Sequence, residues 1–396
     1  MVKKYSKAGI IVIASGIFIA VILFSAPSKS GSPVYIKQQQ TEDVLSESAA
    51  AADAIAENNE FKKAVLPPIY LPTPEPLKAI YMTSWVAGTP SLRKDLVRFI
   101  EESEANAIVI DVKDYTGRVA FDTDNEVIIQ SGAIEERIPD IQALIRELND
   151  KGIYTIARIS VFQDPYFVKI RPDLAVKTLN GGVWKDRKGI TWIDVSAKEY
   201  WDYIVHLSRA THAVGFDELN FDYIRFPSDG NMKDISYDYY DEAKISKAEA
   251  LEQFFAYLAR EIKPLGIPLS ADLFGMTASN YDDLGIGQVL ERAIPYFDFV
   301  SPMVYPSHYP PSFIGLANPA SHPYEVIYYS MSRAVERMVA ASTTPSKLRP
   351  WIQDFDLGAT YDADMIRKQK QAVYDAGLSS WMAWDPSNKY TKEAYR

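Results

Sequence analysis

From Lys78 onward the chain alternates between two patterns of apolar and polar positions. Short runs rich in β-branched and aromatic residues predict strands at Ala79–Thr83, Ala107–Val112, Tyr154–Ile159, Glu218–Phe221, Pro268–Leu273, Phe297–Met303, Arg349–Gln353 and Ser380–Trp384. Between them, apolar residues recur every three or four positions, which predicts amphipathic helices over about 90–104, 138–150, 197–212, 246–263, 285–294, 323–341 and 362–376. Local punctuation agrees. Thr89-Pro90 offers an N-cap with proline in the first turn, ahead of Leu92, Leu96, Phe99 and Ile100 on one helical face. Lys151-Gly152 and Ala376-Gly377 end helices with glycine just past the last turn. Eight strand–helix units in series predict an α/β fold of the (β/α)8 TIM-barrel class over residues 78–396. An open doubly wound sheet would want a glycine-rich phosphate loop after its first strand, where this chain has Ser84-Trp85-Val86-Ala87-Gly88.

The first 77 residues follow neither pattern. Lys3, Lys4 and Lys7 precede an apolar run from Ala8 to Ala26, close to the roughly 20 residues of a membrane-spanning helix. The basic flank predicts a cytoplasmic start and an extracytoplasmic remainder. Cleaved signal peptide and retained anchor are both allowed over 1–26. Phe24 and Pro27 suit a cleavage site poorly, which favours the anchor and a membrane association. Residues 27–77, with Gln38-Gln39-Gln40, an Ala/Glu/Ser stretch and prolines at 67, 68, 72, 74 and 76, predict a flexible linker with a stiff end.

Composition narrows the chemistry. The chain has 396 residues, 24% charged, and a formal net charge of −10, which argues against a nucleic-acid surface. With no cysteine, thiolate catalysis, disulfides and cysteine-ligated metals are excluded. The four histidines, at 206, 212, 308 and 322, form no metal-binding motif, and a Gly-x-Ser-x-Gly elbow is absent. No cofactor is expected.

Barrel chemistry gathers at the carboxyl ends of the strands. Those ends carry Asp111, Lys113 and Asp114; Arg158; Asn220, Asp222, Tyr223 and Arg225; Asp272; Tyr305; Gln353 and Asp354; and Trp384 with Asp385. Glycosidic cleavage needs two carboxyl groups across the scissile bond, one donating a proton and one attacking or activating water. Asp222 is the first candidate, since strand alternation puts it on one face with Glu218 and Asn220. Asp272, at the end of the next strand, is the second, with Asp111 its rival. The remaining strand-end groups, with Trp85, Trp184 and Trp192, are candidate substrate-binding residues. Asp114 and Asp385 also suit helix capping. Two long loops, one a hairpin carrying Trp184 and Trp192 and one containing Tyr237, Tyr239 and Tyr240, suit a polymer-binding cleft, whereas Trp201 belongs with core packing.

The segment Gly215-Phe216-Asp217-Glu218-Leu219-Asn220-Phe221-Asp222-Tyr223-Ile224-Arg225-Phe226-Pro227 resembles the signature of the bacterial putative glycosyl hydrolase domain family. Ala79–Ser84, Asn106–Asp114, Ser301–Pro306 and Trp381–Asp385 resemble its other strands, so the likeness spans about residues 77–390. It implies a glycosidase-like barrel behind a signal or anchor segment. A looser likeness to family 18 chitinases aligns Asp217, Asn220 and Asp222 with that family's three acidic positions, and Ile224 with its acid glutamate. The proton donor must therefore come from another strand. Two alternatives stay open: a tethered barrel that binds polysaccharide without cleaving it, and a metal-assisted hydrolase using Asp111, Asp222 and Asp272 as oxygen ligands.

Overall fold

The computed structural model describes residues 67–396. The expected membrane segment and most of the expected linker lie outside these residues. Among the described residues no helix is long and apolar enough to cross a membrane.

Eight parallel strands close into a barrel in sequence order: β1 (Lys78–Met82), β2 (Ala107–Lys113), β3 (Tyr154–Ser160), β4 (Glu218–Asp222), β5 (Leu269–Phe274), β6 (Phe299–Met303), β7 (Trp351–Gln353) and β8 (Trp381–Trp384). The crossover helices are α1 (Pro90–Glu101), α2 (Ile141–Asp150), α3 (Lys198–Ala213), α4 (Lys247–Ile262), α5 (Leu290–Ala293), α6 (Pro323–Ala340) and α7 (Ala363–Asp375). Outward side chains of the strands pack under these helices as one apolar layer, with Ile108, Ile110, Leu219, Phe221, Leu273 and Ile352 fully buried. The helix face read around α1 is shifted: Leu96, Val97, Phe99 and Ile100 are buried, whereas Leu92 faces solvent. The helix expected over 285–294 shrinks to one turn, because Gly285 and Gly287 hold left-handed backbone before it.

The described residues that precede β1 touch the barrel. The Leu71 amide donates to Asp217 Oδ1 at 2.6 Å, Tyr70 stacks on His212 at 4.8 Å, and Leu77 is fully buried. The proline-rich end of the expected linker thus packs against the amino ends of the strands.

Alternation turns Glu218, Asn220 and Asp222 inward at three heights. At the floor, Glu218 Oε2 accepts from Arg349 Nη1 at 2.8 Å and Tyr154 Oη at 3.1 Å. Above it, Asn220 bridges to β5, and Asp222 ends its strand at the mouth. At the mouth, two-residue strands Lys177–Thr178 and Ile235–Ser236 pair the long loops that follow β3 and β4.

Candidate active site

The carboxyl ends of β3 to β8 enclose a cavity of about 250 Å³. Arg158, Asp222, Tyr223, Arg225, Asp272 and Tyr305 line it, together with Trp351 and Trp384. Asp222 and Asp272 are neighbours because Asn220 pairs with Ser270, and Phe221 with Ala271, in adjacent strands.

Arg158, inward from β3, organises the carboxylates. Its Nη1 donates to Asp111 Oδ1 at 2.6 Å, its Nη2 pairs with Asp222 Oδ2, and its Nε lies 3.7 Å from Asp272 Oδ2. All these side chains are nearly inaccessible to solvent, so the ion pairs are little screened. Because both carboxylates reach one planar guanidinium, those oxygens of Asp222 and Asp272 are within about 8.5 Å of each other. That separation satisfies the upper limit of roughly 9.5 Å for a glycosidase pair. The guanidinium also fills the centre of the three-carboxylate cluster, where a metal-assisted mechanism would need its ion.

The two carboxyl groups have different surroundings. Asp222 Oδ1 accepts the Tyr223 amide at 2.5 Å, and its other oxygen pairs with Arg158. Tyr223 holds left-handed backbone (φ 53°), an uncommon state for a bulky residue and a cost paid at the strand end. Asp272 is deeper. Its Oδ1 accepts Trp351 Nε1 at 2.7 Å and Asn220 Nδ2 at 2.9 Å, and its Oδ2 accepts no hydrogen bond from a described residue. Burial, reinforced by the Asp222 charge, pushes Asp272 up to about 8 against the pull of Arg158 and its two donors. Burial thus favours the protonated form of Asp272, and Oδ2 is the oxygen free to carry that proton.

Asp111 backs this pair. It accepts Tyr81 Oη at 2.5 Å as well as Arg158, and burial raises its carboxyl above the ordinary range. The Tyr81 ring stacks on Trp384 at 3.8 Å, and Trp384 lies 4.9 Å beneath the Arg158 guanidinium. Tyr305 shares the cavity wall, its hydroxyl held well above its usual range by burial and by Asp272 and Asp222.

Several expected binding residues are elsewhere. Lys113 is fully buried beside the strand end, paired with Asp164 at 2.9 Å and donating to Ser160 O at 2.7 Å. Trp184 and Trp192 belong to the expected hairpin, but both rings are buried, their indole N–H groups donating to Asn231 O at 3.0 Å and Asp186 Oδ2 at 3.2 Å. Asn220 serves Asp272, and Gln353 is buried, accepting from Ser307 Oγ at 2.9 Å and donating to Phe355 O at 2.8 Å. Asp385 caps its own turn through the Ser387 amide at 2.5 Å. Trp85 is 59% exposed on the rim, stacked by Arg137 at 4.6 Å, and does not line the cavity. The loop after β4 is packed down: Tyr237 and Tyr240 sit 5.5 and 4.9 Å from Phe226, and Asp194 accepts the Tyr239 and Tyr240 amides. Trp201 is buried core.

Trp351 and Tyr81 were missed as site residues, although alternation within the predicted strands turns both inward. Gly275 carried no sequence signal. A Cβ there would lie 2.3 Å from Met303 O, so only glycine allows β5 and β6 to close this side of the cavity.

Residues 79–390 match the putative glycosyl hydrolase domain family. The chain belongs to that family. Among solved structures, the glycoside hydrolase domain of PgaB (BpsB) from Bordetella bronchiseptica aligns with a TM-score of 0.59 at 14% identity, over 80% of this chain and 97% of that one. Alpha-L-fucosidase isoenzyme 2 from Paenibacillus thiaminolyticus aligns with a TM-score of 0.57 at 10% identity, over 81% of this chain and 48% of that one. At such identities these two likenesses show the barrel fold. A hypothetical protein from Ruminiclostridium thermocellum is 31% identical over 52% of this chain and 98% of its own, with a TM-score of 0.45. No curated protein matches the chain. Family membership makes this a glycosidase-type enzyme domain.

Proposed function

We propose that this protein is an extracytoplasmic glycoside hydrolase, tethered by its N-terminal segment, that cleaves a cell-wall polysaccharide or exopolysaccharide by a two-carboxylate mechanism. Asp272 is the general acid: its Oδ2 carries the proton and delivers it to the glycosidic oxygen. Asp222 is the carboxylate across the bond, attacking the anomeric carbon or activating water. The observation that carries this reading is the unequal setting of the pair. Both are buried, but Asp222 has both oxygens engaged, by Arg158 and the Tyr223 amide, whereas Asp272 keeps an oxygen that accepts no hydrogen bond from a described residue, and such contrasts divide acid from base. Arg158 orients Asp222 and compensates its charge. Tyr305 and Trp384 supply a hydroxyl and a ring face to the sugar. The tether is supported by the basic flank and the apolar run Ala8–Ala26.

The test is release of reducing ends from a panel of bacterial polysaccharides by the purified protein and by Asp222→Asn. The reading expects turnover that falls by about 10²-fold or more in the variant. Undiminished turnover in Asp222→Asn would remove the assignment. Activity lost on adding a chelator would favour the metal-assisted alternative.

A further inference from the structure

The cavity wall carries two arginines in opposite electrostatic states. Arg158 is saturated by carboxylates. Arg225 is not. Its Nη1 donates to Phe226 O at 3.0 Å and Ser228 Oγ at 3.1 Å, while its Nε and Nη2 donate to no described residue. No carboxylate of the described residues comes within 4.0 Å of it. The guanidinium is nevertheless fixed, 4.8 Å over Trp192 and 5.5 Å over Tyr223, so one face is blocked and its orientation is set. Burial holds it below its usual range, with Asp222, Asp229 and Asp186 acting only from a distance. A second cation adds to the field: the Lys188 ammonium, without an ion pair among the described residues, joins burial in lowering cavity-lining His308. Against Arg158 and Arg225 the wall sets two carboxyl groups, Asp222 and Asp272, both of which face Arg158 rather than Arg225, while Asp111 lies behind the wall.

A stacked guanidinium with free N–H donors and no counter-ion is a preorganised anion site, and its planar fork suits a pair of oxyanion oxygens. We propose that Arg225 selects a glycan whose bound sugar ring carries an oxyanion, either the carboxylate of a uronic acid or a sulfate ester. The identity of the bond cut rests on the hydrolase reading above; the binding preference does not.

The test is equilibrium binding of tetrasaccharides to the full chain carrying Asp272→Asn, which keeps that position neutral while blocking proton donation. Glucuronate-, galacturonate- and mannuronate-containing tetrasaccharides are each compared with their carboxyl-reduced forms. A sulfated tetrasaccharide is compared with its desulfated form, so the two sources of the anion are separated. At about 20 mM salt, at least one anionic member should bind roughly tenfold or more tightly than its neutral twin, and the ratio should shrink as salt is raised. Arg225→Met should bring the ratio to about one, and Arg225→Lys should restore part of it, which a merely structural role would not do. Ratios within about twofold for every pair, or a preference that survives Arg225→Met, would overturn the inference. Asp222-dependent cleavage of a neutral glycan alongside such ratios would leave the hydrolase reading standing and remove this one. Arg225-dependent anion binding without cleavage of any glycan would do the reverse.

Discussion

Replacing Trp351 by phenylalanine should move the ionisation of Asp272 in a direction that burial alone does not dictate. Five influences meet on this carboxyl group: burial and the Asp222 charge push it up, while Arg158, Asn220 and Trp351 pull it down. Phenylalanine keeps most of the ring on the cavity wall and deletes only the indole donor, 2.7 Å from Asp272 Oδ1. A hydrogen bond to a charged group contributes about 1.5–3 kcal/mol, and the neutral acid keeps roughly half of that. The difference, about 1–1.5 kcal/mol, corresponds to about one pH unit at 1.36 kcal/mol per unit. Asp272 should therefore move from about 8 to roughly 9. An essential acid limits kcat/KM on the alkaline side, so that limb of the pH profile should shift upward by about one unit, with little change below pH 7. The pH dependence of unfolding should show the same displacement without any substrate. A limb that stays in place or moves down would refute the hydrogen-bond accounting around Asp272.

Asp272 also makes a stability prediction. Its folded value, about 8, lies above the ordinary carboxyl value near 3.9, so between them the folded state binds more protons than the unfolded state. Its contribution is fully present at low pH and is lost as pH rises to about 8, with a slope of up to about 1.36 kcal/mol per unit. Calorimetry on Asp272→Asn should show that slope removed; an unchanged slope would mean the group ionises normally. Lys113→Met breaks an ion pair with both side chains fully buried and strands Asp164, so denaturant titration should show a loss of about 3–5 kcal/mol. A loss below about 1 kcal/mol would show that Asp164 is satisfied by the Phe167 amide and Tyr200 alone. Gly275→Ala forces a methyl group against Met303 O, and a cost of about 1–3 kcal/mol with a raised KM is expected from unfolding and steady-state kinetics.

The barrel was legible because each strand is a short β-branched or aromatic run and each crossover is long enough to be a helix. Where glycine interrupts the pattern, at Gly285 and Gly287, the helix reading overran the real element. Asp222 and Asp272 were legible for a topological reason: consecutive parallel strands in a barrel are neighbours, so their terminal carboxylates converge. The aromatic residues were harder. A tryptophan in a loop has the same sequence signature whether it meets solvent or packs under that loop, and the pairing of the loops after β3 and β4 accompanies burial of Trp184 and Trp192. Lys113 misled similarly, because the register shift between Asp111 and Lys113 breaks the alternation that would have aimed it into the cavity. Arg158 was noted at its strand end. Its three-way bridge was not legible, since that depends on distances between β2, β3, β4 and β5.

The division of labour between Asp272 and Asp222 is tested most directly by leaving-group dependence, once a cleaved glycan has identified the sugar. Asp272→Asn and Asp222→Asn should be compared on the natural linkage and on the matching glycosyl fluoride, whose departure needs no general acid. The account predicts that Asp272→Asn loses about 10²–10⁴-fold on the natural linkage and regains most of it on the fluoride, while Asp222→Asn stays inactive on both. Equal losses for Asp272→Asn on the two substrates, or rescue of Asp222→Asn by the fluoride, would contradict the assignment of the acid.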